Sequence, residues 1–96
     1  MNAQYVSILS QFPLVERQYV DRNGQPQVFA SRGFILGDGI NTMYAEMQGD
    51  LARAAANIQY DQAVLHSALL QTTMRDYRDK DGNVRYSNEV RILKLA

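Results

Sequence analysis

The chain has 96 residues, enough for one domain with a core of its own and too few for two. It carries no cysteine and one histidine, which excludes a disulfide framework and any zinc site built on cysteine or paired histidines. Ten basic and ten acidic side chains give a formal net charge of zero, so no whole-chain basic field marks a nucleic-acid binder.

The N-terminal apolar run, Tyr5 to Leu9, lacks a basic flank and is too short for a signal peptide or a membrane span. A soluble, cytoplasmic protein is expected. Apolar residues from Tyr5 to Val20 predict a first strand, which Pro13 should bend, bulge or place at an edge because proline supplies no ladder donor. Asp21-Arg22-Asn23-Gly24 predicts a tight hairpin turn on its Asn-Gly pair. A second strand is predicted from about Gln27 to Leu36, a turn at Gly37-Asp38-Gly39, and a third strand from about Ile40 to Gln48.

At Gly49-Asp50 the period changes. Leu51, Ala54, Ala55 and Ile58 recur at helical spacing, predicting a short helix over residues 50 to 58 with Asp50 as its N-cap. Two further strands, Ala63 to Arg78 and Val84 to Leu95, flank an Asp-Lys-Asp-Gly turn. In the last of them Val84, Tyr86, Val90 and Ile92 alternate with Arg85, Ser87, Glu89 and Arg91, which directs Tyr86 inward. The expected fold is all-β with one short helix: a five-stranded OB-fold barrel over residues 1–96, the helix lying between strands three and four. That arrangement uses strands two and three, with the loops between strands one and two and four and five, to hold oligonucleotides. SH3-like barrels and sandwiches share the composition.

Charge is uneven along the chain. Residues 1 to 70 hold four basic and six acidic side chains, whereas residues 71 to 96 hold six basic and four acidic. The positive excess sits in the last hairpin.

That hairpin also carries a resemblance. Tyr77 to Val90 reads Tyr-Arg-Asp-Lys-Asp-Gly-Asn-Val-Arg-Tyr-Ser-Asn-Glu-Val, and Gly49-Asp50-Leu51-Ala52 and Leu65 to Thr73 precede it. Over Met47 to Leu93 the chain resembles the OB domain of the bacterial single-stranded DNA-binding family, in which bases stack on aromatic rings and basic groups follow the phosphates. The resemblance implies a homo-oligomer, a dimer or tetramer, and a stacking role for Tyr77. It also marks departures: Gln48 stands where the family places a stacking phenylalanine, Asp50 where it places a lysine, and near Thr42 its tryptophan is missing, with Tyr44 the nearest ring. No acidic tail of the family's kind is expected beyond Ala96.

Each candidate residue has a structural alternative. Tyr77 and Tyr86 either stack on bases or pair across the hairpin and brace it. Arg75, Arg78, Lys80 and Arg85 either meet phosphates or pair with Asp76, Asp79, Asp81 and Glu89. Phe12, Phe29 and Phe34 are expected in the core, while Tyr19 and Tyr44 suit a wet groove because a phenol tolerates water. Arg17, Arg22 and Arg32 either extend the basic track or are ordinary surface charge. His66 has no second histidine, no cysteine and no nucleophile arrangement around it in sequence. Gly37 and Gly39 form no phosphate-binding motif.

The expectation is a non-enzymatic protein without cofactor or metal, which binds single-stranded DNA without sequence preference in replication, repair or transfer of a mobile genetic element. A degenerate OB-fold interaction module similar to primosomal replication proteins is the alternative. Neither a membrane nor a small-molecule substrate is expected. The apolar first strand, with Tyr5, Val6, Ile8 and Leu9, offers an edge for self-association.

Overall fold

The computed structural model describes residues 3–96; Met1 and Asn2 lie outside the described residues. Five strands and one helix follow in the expected order: β1 (Gln4–Val20), β2 (Pro26–Gly37), β3 (Thr42–Gln48), α1 (Gly49–Ala54), β4 (Leu65–Arg78) and β5 (Val84–Leu95). They close into a barrel of order β1-β2-β3-β5-β4, in which β3 and β5 run parallel and every other pairing is antiparallel. This is the OB-fold arrangement anticipated from the element order. No helix among the described residues is long and apolar enough to cross a membrane.

Alternation places the core. Val6 and Ile8 of β1, Phe34 and Leu36 of β2, Ala45 and Met47 of β3, Ala68 of β4 and Ile92 of β5 point inward, and Ala52 and Ala55 seal one end of the barrel. Short alanine side chains at the helix let its backbone approach the sheet closely.

Pro13 acts as its chemistry requires. The β1–β2 register slips between Gln11 and Leu14, where β1 carries one residue more than β2, and again between Ile8 and Ser10. The bulge at Pro13 turns the Phe12 carbonyl out of the ladder, and the Arg32 Nε–H donates to it at 2.7 Å.

Arg32 is the buried charge of the fold, 4% exposed. Its Nη1 donates to the carbonyls of Ala55 and Ile58, and its guanidinium lies 5.0 Å from the Phe34 ring centre and 5.8 Å from that of Tyr60. Surface charge and a basic track, the two roles considered for Arg32 above, are both corrected: three carbonyls and two rings hold the cation inside. Gln11 completes the junction. Its Nε2 donates to the Tyr60 carbonyl and its Oε1 accepts from the Tyr60 N–H, both at 2.9 Å, so one side-chain amide pairs with the backbone like a strand neighbour.

Other expectations need correction at element ends. The helix stops at Ala54 instead of residue 58; looser turns continue to Ile58, where the chain bends to offer Arg32 its carbonyls. Asp50 is not the cap: Gln48 holds that position without a side-chain bond, and Asp50 sits in the first turn, 3.5 Å from Arg53. Strand β3 begins at Thr42, because Asp38 accepts the N–H groups of Ile40 and Asn41 and holds Ile40 in the turn. Strand β4 begins at Leu65, after a turn in which Asp61 accepts the Ala63 N–H.

The N-terminal part of β1 is no free edge. Gln4 to Ser7 pair with Leu65 to Ala68, and beyond them the Gln62 amide donates to the carbonyls of Ile8 and Leu9. Closing the barrel uses the amides that the sequence left available for a partner.

The two long hairpins share one turn. Asp21 accepts the N–H groups of Asn23 and Gln25, and Asp79 accepts those of Asp81 and Asn83, each at 2.9–3.0 Å. In both, the fourth residue is a glycine at φ near +80°, Gly24 and Gly82, a conformation that side chains disfavour. No non-glycine residue has positive φ among the described residues, so the first turn is a five-residue Asx-led loop rather than a two-residue Asn-Gly turn.

These bonds favour the ionised carboxylates. The Gln25 N–H above all holds the Asp21 carboxyl below its ordinary 3.8, and the Arg85 side chain, followed by the Asn83 N–H, does the same for Asp79. A depressed folded value adds stability above the unfolded value and loses it as pH falls through the folded one. Both hairpin turns should therefore loosen below pH 3.8, and Asp79→Asn should flatten the acid limb of a melting-temperature profile.

Candidate nucleic-acid interface

Both hairpins overshoot the barrel. Residues 15–20 with 26–29, and 71–78 with 84–89, have little barrel beneath them and form two arms. They raise the radius of gyration to 15.4 Å, where a compact chain of this length would have about 12.5 Å. Between the arms runs a groove of about 1020 Å³. Arg17 and Phe29 of the first arm, Tyr44, Glu46 and Gln48 of β3, Gln71, Thr73, Arg75 and Glu89 of the second arm, and Arg91 of β5 at its base line it.

Register puts these side chains on one outer face. Arg17 stands opposite Phe29, Gly33 opposite Glu46, Glu46 beside Arg91, and Arg75 opposite Ser87. Tyr77 and Arg85, opposite one another, extend the same face toward the tip of the second arm.

Tyr44 is the best-prepared ring. It is 55% exposed, and its ring lies so close over Gly33 that a Cβ added there would fall 2.8 Å from two of its ring carbons. Glycine at that one position lets the ring lie down on the backbone of β2. Phe12 stands 6.5 Å away, centre to centre. Burial, and then the Glu46 carboxylate beside it, raise the Tyr44 phenol above its ordinary value.

Of the candidates read from sequence, Tyr44 and Arg75 line the groove, and Tyr77 and Arg85 share its face. Tyr86 and Arg78 occupy the opposite face of the arm, opposite Asp76 and Val84 respectively, and Lys80 lies in the tip loop. Tyr86 is thus corrected from inward to 67% exposed: the strand has passed the end of the barrel, so the inward parity meets solvent. Tyr77 and Tyr86 point to opposite sides and are no cross-strand pair.

Three of the arm's cations have partners. Arg75 lies 3.4 Å from Glu89, Arg85 Nε donates to Asp79 at 2.9 Å, and Arg78 donates to the Gly82 carbonyl at 3.0 Å. The two exposed ion pairs are worth about 0–1 kcal/mol each and leave Arg75 and Arg85 able to exchange an acid for a phosphate.

Phe12 and Phe29 are exposed, against the expectation of core positions, while Phe34 is fully buried. Phe29 has the outward parity of β2, next to the buried Ala30, and Phe12 precedes the Pro13 bulge. The sequence reading passed over Glu46, Gln71, Thr73, Asn88 and Arg91 as groove residues, and alternation around the buried Ala45 and Met47 was the signal for Glu46.

His66 is buried in the wall. Its Nε2 donates to the Asp61 carbonyl at 2.6 Å and its ring meets the edge of Tyr60. Among the described residues no cluster of histidine, cysteine or acidic side chains is placed to hold a metal. No known family model matches the chain, and no curated protein is significantly similar to it.

Proposed function

We propose that the chain binds single-stranded DNA in the groove between its two arms. One observation carries this: half-exposed rings, Tyr44 lying over Gly33 with Phe29 and Phe12 near it, share a face with Arg17, Arg75 and Arg91. Stacking is sequence-tolerant because every base has a π-face, and cations beside the rings track the backbone. Tyr77 and Arg85 lengthen the platform along the second arm. No chemical step is assigned, and replication, repair or strand transfer is the setting this reading suits.

Fluorescence anisotropy of a labelled oligonucleotide titrated at several salt concentrations tests the proposal. Alanine at Arg17, Arg75 or Arg91 should each reduce the log-log salt slope by about 0.7, the single-strand value for one phosphate contact. Alanine at Arg78, on the far face, should leave it unchanged. Equal slopes in all four variants would favour the protein-interaction reading.

Self-association belongs to the same proposal, on a different surface. Tyr5 and Leu65 lie exposed as diagonal neighbours on the outside of the β1–β4 seam, with Leu9 close in sequence. With the strand edge closed, this face replaces edge pairing as the contact for a dimer or tetramer. Light scattering at micromolar concentration should show an oligomer that Tyr5→Glu disrupts; a wild-type monomer rejects it.

A further inference from the structure

Glu46 is out of place in a phosphate-binding groove. It stands on the floor between Tyr44 and Gln48, directly beside Arg91, and among the described residues it forms no ion pair. A carboxylate facing phosphates repels them. Facing the edge of a base it does the opposite, because exocyclic amino groups and ring N–H groups are donors and an ionised carboxylate only accepts.

The spacing suits the edge of a base. The Tyr44 ring lies over Gly33, the register partner of Glu46, and directly opposed residues of an antiparallel pair stand about 5 Å apart. A base stacked on that ring therefore brings its edge beside the Glu46 carboxylate. The carboxylate also neighbours the Tyr44 hydroxyl, and opposite it Gly33 leaves room for the Tyr44 ring that the base would stack on.

We propose that Glu46 gives the groove a base-composition preference, selecting bases that present an amino donor, cytosine, adenine and guanine, over thymine, at the position stacked on Tyr44. Cytosine offers its N4 amino group, and guanine offers N1–H and the N2 amino group together. Thymine offers one N3–H between two carbonyl oxygens, acceptors whose partial negative charge the carboxylate repels. The inference rests on the single-strand reading above and narrows it from any base to those that donate.

The test compares oligo(dC) with oligo(dT) of equal length at slightly alkaline pH, where cytosine is neutral, on the wild type and on Glu46→Gln. The expected result is about tenfold tighter binding of oligo(dC) by the wild type. In Glu46→Gln the ratio should fall toward one, mainly through a gain for oligo(dT), because the amide donates to a thymine carbonyl as readily as it accepts from cytosine. Arg91→Ala should weaken both strands alike and keep the ratio, which separates base reading from charge. Equal or tighter oligo(dT) binding by the wild type, or an unchanged ratio in Glu46→Gln, overturns the inference and leaves single-strand binding standing. Failure of both strands to bind rejects single-strand binding itself, and the preference with it.

Discussion

Arg32→Ala is expected to lower folding stability by about 3 kcal/mol or more, because the guanidinium is buried and donates to three carbonyls at once. The loss leaves the carbonyls of Phe12, Ala55 and Ile58 short of a charged donor and empties the space beneath the Phe34 and Tyr60 rings. For a domain of this size that is a fall in melting temperature of about 12–24 °C, readable by circular dichroism. Arg32→Lys should recover little, since a single ammonium cannot span the Phe12 carbonyl on one side and the Ala55 and Ile58 carbonyls on the other. If Arg32→Ala melts within a few degrees of the wild type, the junction is held by Gln11 and the alanine contacts instead.

The second large effect is on binding. Tyr44→Ala should cost about 1–3 kcal/mol of single-strand affinity, five- to 150-fold, because it removes the ring laid over Gly33. Gly33→Ala reaches the same ring from below: the new methyl displaces it while Tyr44 stays in the sequence, so affinity should fall without loss of the aromatic. Tyr77→Ala should also weaken binding within that range, and Tyr77→Phe should be nearly silent because stacking uses the ring face. Tyr86→Ala, on the far side of the arm, should leave affinity intact. Equal losses at Tyr77 and Tyr86 would mean that the arm is not read from the groove side.

These variants differ in what they report. Arg32 is buried and its donors are spent on backbone carbonyls, so its loss should change stability and leave the salt slope of any remaining folded protein alone. Tyr44 is half exposed and adds little to the core, so its loss should lower affinity while leaving stability and the salt slope nearly unchanged.

Much of this architecture is legible in the residues. Alternation around Val6, Ile8, Phe34, Leu36 and Ile92, the Asp-led turns with their glycines, and the change of period at Gly49 prescribe five strands and one short helix in order, since each is a local preference that neighbouring residues express unaided. Pro13 likewise announces its bulge. Tyr44 as a groove ring and Arg75 as a groove cation are also readable, from a phenol and a charge on strands that a small barrel must leave partly wet.

What the tertiary structure alone decided is which face each residue occupies and where the barrel ends. The two slips in β1 reset the register between strands, and no local preference encodes a neighbour's register. Tyr86 carries the same alternation as Ile92 but lies where β5 outruns the barrel, so nothing covers it, whereas Phe29 falls on the outward parity of β2, next to the buried Ala30. Arg32 looks like surface charge until the turns after α1 bring Ala55 and Ile58 over it from more than twenty residues away. Glu46 becomes a groove residue only when β3 pairs with β5 and sets it beside Arg91. Local chemistry writes the elements; burial and register are properties of the closed sheet, because each depends on what a distant segment places opposite.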